Sequence, residues 1–233
     1  MNLIFLALAP VFIIAFYIYF RDKYEREPAG TLIKALITGA FVTLPVIFIE
    51  GLLIPFSDSL GNLASAAYNA FLVAGFTEEA FKYLAFFLLI WRNRTFNEKF
   101  DGIVYAVFIS LGFAAVENVF YVLEYGYTIG LVRALTAVPA HALFGIVMGY
   151  HFGLAKFYPR EKGIQLLLAL LSPVLLHGFY DFCLMAEKTI FLLLFVPFIM
   201  FLWIHGFRRM KNLSDRSIFK PIRTQEEKEE IEQ

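Results

Sequence analysis

The sequence predicts an all-α membrane protein: a bundle of about seven transmembrane helices, with the N-terminus outside the cell and the C-terminus in the cytoplasm. Hydrophobic residues fill 60% of the 233 positions and charged residues only 17%, whereas soluble domains are about 45–50% apolar and about 25% charged. The apolar residues form runs of about 20, the length that crosses a bilayer as a helix. Lysine and arginine gather between these runs, and their distribution predicts the orientation.

The apolar runs predict helices over residues 3–20, 31–56, 63–91, 102–124, 131–157, 163–186 and 189–207. The first run lacks the basic segment and the small-residue cleavage site of a secretory signal, so we predict that it is retained as a helix. Residues 1–207 are therefore expected to form a single bundle. Residues 208–233 are expected to form a polar cytoplasmic tail, solvated and partly disordered at its charged end, 225–230.

Basic residues occupy alternate loops, which indicates the side of the membrane on which each loop lies. Four segments carry three of them each: Arg21, Lys23 and Arg26; Arg92, Arg94 and Lys99; Lys156, Arg160 and Lys162; Arg208, Arg209 and Lys211. The intervening segments 57–62 and 125–130 have none, and Lys188 alone precedes the last helix. This alternation supports an odd number of helices.

The net charge gives no reason to expect binding of nucleic acid, and the cysteine content excludes an intramolecular disulfide. The formal net charge is zero, so no global field favours nucleic acid as a partner. The only cysteine, Cys183, lies inside an apolar run, so the chain cannot form an intramolecular disulfide. Membrane lipid is the partner that the composition predicts.

Ionisable residues interrupt four of the apolar runs: Glu78, Glu79, Lys82, Glu117, His141, His177 and Asp181. A charged residue at a helix centre costs about 2.5–3.5 kcal/mol on the insertion scale, while each large aliphatic residue or Phe returns about 0.3–0.6 kcal/mol. The third helix, which carries three of these residues, would insert only marginally by itself. It must be held by neighbouring helices or by internal pairing, and such residues mark functional sites in membranes.

Four of these residues are predicted to lie at the same depth in the membrane. Glu78, Glu117, His141 and His177 each lie about 14–16 residues from the cytoplasmic charge that bounds their helix, or about 21–24 Å at 1.5 Å per residue. Helices of alternating direction thus bring them to one level, beyond the midplane of a core about 30 Å thick. The sequence predicts a shared site near the outer side, its entrance framed by segments 57–62 and 125–130.

Local spacing predicts pairs within the site. His177 and Asp181 are four residues apart and share a helix face, so the carboxylate can orient the imidazole. Lys82 follows Glu79 by three residues and Glu78 by four, and we expect it to neutralise one carboxylate and leave the other for chemistry. Carboxylates and histidines in a dry pocket suit hydrolysis, either with glutamate as general base or with a bound zinc.

Other hydrolytic motifs are not found. The zinc motif His-Glu-x-x-His is absent. Ser110 and Ser172 lie inside apolar runs, but neither has the Gly-x-Ser-x-Gly context of a nucleophile. The same buried carboxylates could serve as the relay of a proton-coupled transporter, although no inverted repeat is evident.

Four segments, in order along the chain, resemble the motifs of the PrsW family of bacterial intramembrane proteases. They are Phe76-Thr77-Glu78-Glu79-Ala80-Phe81-Lys82, Phe113-Ala114-Ala115-Val116-Glu117-Asn118, Pro139-Ala140-His141-Ala142 and His177-Gly178-Phe179-Tyr180-Asp181. The resemblance implies a multi-pass protein of the bacterial cell membrane that makes the first (site-1) cut in a single-pass anti-sigma factor, outside the membrane, and so activates a sigma factor in a stress response.

The family is distantly similar to the CAAX-prenyl endopeptidases, which also begin with paired glutamates. In that group the second motif ends in histidine and the fourth in asparagine, where this sequence has Glu117 and Asp181. This difference weakens the prenyl-endopeptidase alternative.

The resemblance, together with the chemistry above, predicts catalytic roles for Glu78, Glu79, Glu117, His141, His177 and Asp181. Glu78 or Glu79 is expected to be the general base, Glu117 and His141 to position the water or a metal, and His177, held by Asp181, to stabilise the oxyanion. The cofactor is left open between none and a divalent metal such as zinc. For a metal, the candidate ligands are Glu117, His141 and His177.

Overall fold

A computed structural model describes residues 3–221, and in that range the chain is helical without strands. The charged end of the tail, 225–230, lies outside the described residues. Residues 3–221 contain eight α-helices: α1 (Leu3–Arg21), α2 (Ala29–Leu53), α3 (Asn62–Tyr68), α4 (Thr77–Leu89), α5 (Lys99–Leu135), α6 (Ala137–Phe157), α7 (Lys162–Met185) and α8 (Thr189–Asp215). A π-helix, Asn69–Phe76, joins α3 to α4, and short 3-10 turns cover Ile54–Ser59 and Pro159–Glu161.

Within the described residues, five helical stretches are long and apolar enough to cross a membrane: Leu3–Arg21, Ala29–Ser59, Lys99–Phe157, Pro159–Met185 and Thr189–Asp215. The third of these contains 59 residues and two interruptions of helical geometry. One is Gly126, whose φ of 79° favours glycine. The other is Thr136, between α5 and α6.

The helices differ in detail from the prediction. The predicted third helix, 63–91, consists of α3, the π-helix and α4 in succession. The predicted fourth helix extends on both sides to become Lys99–Leu135, because the backbone resumes helical geometry directly after Gly126. The last helix continues beyond the predicted end at 207 to Asp215, since the polar residues that follow the apolar run also favour helix.

Helices α5 and α6 form the buried centre of the bundle, and glycine allows their backbones to touch. A Cβ on Gly149 would lie 2.1 Å from the carbonyl oxygen of Gly102, a distance that no side chain can occupy. Close approach through small residues is the usual way that membrane helices associate. Helices α1, α2 and α8 surround this centre and expose large apolar side chains on their outer faces, as expected for contact with lipid.

Candidate functional site

The seven predicted polar residues meet where α4, α5, α6 and α7 cross. Helix α4 contributes Glu78, Glu79 and Lys82, α5 contributes Glu117, α6 contributes His141, and α7 contributes His177 and Asp181. The first three and both histidines are 0–5% exposed, whereas the side chains of Glu117 and Asp181 are 20% and 17% exposed. The cluster is therefore closed on one side and partly open on the other.

The ammonium group of Lys82 lies at the centre of the cluster. Its Nζ donates to Glu78 Oε2 at 3.0 Å and to Glu79 Oε1 at 2.8 Å, so the expectation that it would pair with only one carboxylate is wrong. The same nitrogen lies 3.2 Å from His141 Nδ1 and 4.1 Å from the ring centroid of Phe113. These contacts keep both carboxylates within reach of a single buried cation.

His177 bridges α4 and α7. Its Nδ1 lies 2.9 Å from Glu79 Oε1, and its Nε2 lies 3.3 Å from Asp181 Oδ2, the pairing that the four-residue spacing predicts. Phe144 stacks on the imidazole at a centroid distance of 4.9 Å. The ring is thus fixed in position and in orientation by groups on three helices.

Glu117 joins the cluster through His141 and also pairs with Arg133, a residue that the sequence did not single out. Its Oε2 lies 2.8 Å from His141 Nε2 and 2.9 Å from Arg133 Nη2. Arg133 Nε also donates to Asn118 Oδ1 at 3.1 Å, and Asn118 donates to the carbonyl of Ala7 on α1. The sequence did contain a signal for this residue. Arg133 lies just inside the predicted helix 131–157, on the side of the membrane where the predicted loops carry almost no basic residues.

The π-helix Asn69–Phe76 ends one residue before the Thr77 that begins α4. It packs closely on α7: a Cβ on Gly75 would lie 3.0 Å from the backbone nitrogen of Gly178. This contact brings the start of α4 against the histidine on α7. Extra-residue turns of this kind are frequent at functional sites, and nothing in the residue pattern predicts one here.

A cavity of about 910 Å³ opens beside the cluster. Its polar lining residues are Thr43, Glu50, Asn69, Glu78, Glu117, Tyr121, Glu124, Arg133 and Asp181. Glu79 and both histidines are absent from this lining, so Glu78 is the member of the glutamate pair that reaches the cavity. A second cavity, of about 670 Å³, shares Asn69 and Met185 with the first and is lined by residues of the predicted outer loop at 57–62.

The donor atoms of the cluster fit a transition metal such as zinc. One atom from each of Glu78, Glu79, His141 and His177 lies within 4.8 Å of the others, and carboxylate with imidazole is a donor set that zinc accepts. The second oxygen of Glu79, Oε2, is buried without a hydrogen-bond partner. Lys82 Nζ lies among the same donors, so its ammonium would have to move for an ion to bind.

Comparison with known proteins matches most of the chain. The model of the "PrsW family intramembrane metalloprotease" matches residues 27–205. Proteins named "Protease PrsW" are 39% identical in Oceanobacillus iheyensis (91% of this chain and 95% of the relative) and 35% identical in Clostridioides difficile (98% and 99%). A third, from Bacillus subtilis, is 35% identical over 88% of this chain and 92% of its own length. No solved structure matches.

Proposed function

The chain belongs to the PrsW family of intramembrane metalloproteases and is a multi-pass protein of the bacterial membrane. We propose that it makes the first cut in a single-pass membrane substrate of the anti-sigma-factor class. The observation that carries the proposal is the convergence of buried carboxylates and histidines from four helices beside a cavity of about 910 Å³. Such a cavity is large enough for an unwound stretch of peptide. The substrate class rests on the likeness of the four motifs to those of the family.

Glu78 is the best-placed general base, because it lines the cavity while its neighbour Glu79 is fully buried. Lys82 contacts both carboxylates and holds the Glu78 oxygen in place. In the proposed reaction, Glu78 takes a proton from a water as that water attacks the scissile carbonyl carbon. The same proton then passes to the leaving amide nitrogen as the carbon–nitrogen bond breaks.

His177 is proposed to stabilise the oxyanion through its Nε2 edge. That edge contacts Asp181, which lines the cavity, while Nδ1 is held by Glu79. A developing negative oxygen can take the Nε2–H as the 3.3 Å contact with Asp181 opens. Glu117 and His141, joined at 2.8 Å, then form the opposite wall and position the water.

As an alternative to this metal-free reaction, Glu78, Glu79, His141 and His177 would hold a zinc ion, which supplies Lewis-acid activation of water when it is bound. The residues themselves set the requirements for binding it. Both carboxylates must be released from Lys82, and the buried Glu79 Oε2 gains a partner that no described residue gives it.

We further propose seven membrane crossings with the N-terminus outside. A straight helix of 59 residues would be about 88 Å long, about three times the thickness of the hydrocarbon core. The stretch Lys99–Phe157 therefore supplies two crossings that turn at Gly126 and Thr136. The segment from Asn62 to Leu89, about 40 Å long, supplies a further crossing. Cysteines placed at Asp58 should then react with an impermeant thiol reagent from outside, and labelling only from inside would contradict this topology.

Cleavage is proposed at the outer surface, because the two cavities lead from the glutamate pair towards segment 57–62. A transmembrane helix must unwind to expose a peptide carbonyl, and this is easiest just beyond the end of the substrate's own helix. Mass spectrometry of the products should place the cut on the external side of the substrate. A cut on the cytoplasmic side would contradict the proposed direction of access.

The decisive test uses purified protein in liposomes with a single-pass anti-sigma factor as substrate. Glu78→Gln should lower the cleavage rate by about 10²–10⁴-fold without loss of folded protein. Glu161→Gln, an exposed carboxylate near the α6–α7 turn, is the matched control and should cleave at the wild-type rate. Cleavage by Glu78→Gln at the wild-type rate would refute the role of this residue. Proton-coupled uptake that is lost in the same variant would instead support a transporter.

A further inference from the structure

A second acidic cluster lies at the other end of the bundle, outside the candidate active site. It brings together the α1–α2 connection, with Asp22, Glu25 and Glu27, and the segment that leads into α5, with Glu98 and Asp101. Asp22, Glu27, Glu98 and Asp101 are 0–4% exposed. Loop carboxylates are normally solvated, so their burial requires a specific interaction.

Protein donors satisfy only one oxygen of each central carboxylate. Glu25 Oε1 accepts from Asn97 Nδ2 at 2.8 Å, and Glu27 Oε2 accepts from the hydroxyl of Tyr105. Asp101 Oδ2 accepts from the backbone nitrogens of Asn97 and Glu98 at 2.8 and 2.7 Å, which caps α5. Each carboxylate is thereby held in a fixed orientation with its other oxygen free.

Among the described residues, the remaining oxygens are buried and no protein donor reaches them. These are Glu25 Oε2, Glu27 Oε1, Asp101 Oδ1 and the amide oxygen of Asn97. Among the residues that the structure describes, no lysine, arginine or histidine forms an ion pair with this cluster. Several buried anionic oxygens without a cation are costly, and among the described residues Lys99 and Lys156 attract this cluster only from beyond ion-pair distance.

One oxygen from each of Glu25, Glu27 and Asp101 lies within 4.8 Å of the others. Oxygens bound to one Ca²⁺ at about 2.3–2.6 Å cannot be more than about 5.2 Å apart, so this spacing is compatible with shared coordination. Carboxylate and amide oxygens, with no nitrogen or sulfur, are the ligands of hard divalent cations. We propose that Glu25, Glu27 and Asp101, with the amide oxygen of Asn97, bind a divalent Mg²⁺ or Ca²⁺ ion that joins the α1–α2 connection to α5.

Burial and like charge also perturb titration in this cluster. Burial, followed by the neighbouring carboxylates, raises the pKa of Asp22 and of Glu27 to about 7. A shared proton could therefore relieve part of the repulsion when no cation is present. A bound divalent cation removes that need, so the two possibilities predict opposite responses to metal.

The experiment uses the full chain, purified in detergent and freed of metal with a chelator, and Tb³⁺ as a luminescent probe. Tyr105 touches Glu27 and can transfer excitation energy to an ion bound there. We expect saturable luminescence with one site per chain, reversed by competition. Displacement at lower concentrations of Ca²⁺ than of Mg²⁺ would assign the site to calcium, and the reverse order would assign it to magnesium.

Variants separate this site from the candidate active site. Glu25→Gln, at a partly buried position that does not cap a helix, and Glu27→Gln should each weaken binding by about tenfold or more. Asp215→Asn, an exposed carboxylate at the same end, and Glu79→Gln in the active-site cluster should leave binding unchanged. Loss of the signal in Glu79→Gln but not in Glu27→Gln would overturn the assignment.

The wild-type protein gives a test that no folding defect can obscure. Addition of Ca²⁺ or Mg²⁺ at pH 7.5 should raise the midpoint of thermal unfolding, because the ion binds only the folded arrangement. The metal-free protein should gain the same stabilisation from neither Na⁺ nor K⁺. A midpoint that rises at acidic pH but does not respond to either divalent ion would show that a shared proton, rather than a cation, joins these carboxylates.

Discussion

Lys82 offers the sharpest test of how the candidate active site is held together. The residue is fully buried and forms ion pairs of 3.0 Å with Glu78 and 2.8 Å with Glu79. At an effective dielectric constant of about 20, each pair at about 3 Å attracts by about 5–6 kcal/mol. The cost of removing the ions from water offsets much of this attraction, and removal of one partner from a buried pair typically costs about 3–5 kcal/mol.

The prediction is that Lys82→Met lowers the free energy of unfolding by about 3–5 kcal/mol, because two adjacent carboxylates lose their common cation while the volume is nearly conserved. Unfolding of the purified protein by a denaturing detergent measures this change. A triple variant, Lys82→Met with Glu78→Gln and Glu79→Gln, removes the charges together and should regain at least half of the lost stability. Lys82→Met within about 1 kcal/mol of wild type, or a triple variant no more stable than the single one, would refute the reasoning.

Three further predictions concern other parts of the molecule. Arg133→Gln removes the ion pair with Glu117 at the cavity wall. It should lower the cleavage rate by about 10–100-fold, the usual effect of removing a residue that orients a functional side chain. Arg160→Gln, exposed in a turn, should have no effect. Gly149→Ala should destabilise the protein by about 1–3 kcal/mol, because its Cβ would lie 2.1 Å from a backbone oxygen, whereas Gly163→Ala meets nothing within 4 Å. Without divalent ions, stability should fall as the pH rises from about 4.5 to about 7, since burial raises the pKa of Glu27 to about 7 and the folded state binds the additional proton.

For each of these three predictions, a different experimental result would contradict the reasoning. Equal cleavage by Arg133→Gln and Arg160→Gln would show that the arginine only stabilises the fold. Equal unfolding midpoints for the two glycine variants would contradict the close contact of α5 with α6. Unchanged or rising stability between about pH 4.5 and pH 7 in the presence of chelator would contradict the burial of Glu27 as a carboxylic acid.

Much of the candidate site follows from the sequence because helix geometry is nearly constant. A fixed rise per residue converts distance from a cytoplasmic charge into depth, and Glu78, Glu117, His141 and His177 do meet in space. The pairing of His177 with Asp181 follows in the same way from four-residue spacing. Positions within a regular helix can therefore be predicted from the sequence.

Features that depend on packing between elements could not be predicted in this way. The π-helix before α4 places the glutamate pair against α7, yet its residues have no distinctive pattern. Lys82 contacts both glutamates, which spacing alone allowed but did not require. Arg133 reaches Glu117 because the helix is interrupted at Gly126, a residue that hydropathy assigned to a loop between two predicted helices.

The two acidic clusters differ in where their positive charge comes from. In the candidate active-site cluster, Lys82 places a covalently attached cation between the carboxylates, so these carboxylates are paired without a metal. In the cluster at the other end, Glu27 and Asp101 are equally buried, but among the described residues no basic side chain lies within ion-pair distance of them. Burial of carboxylates without a cation is the more expensive arrangement, and it is also the one whose negative charge an external cation can neutralise. A chelator should therefore lower the stability of the protein at the second cluster while it leaves the Lys82 contacts intact. Removal of a zinc ion from Glu79 should instead lower the rate of cleavage. The two metal sites are then distinguished because one affects unfolding and the other affects cleavage.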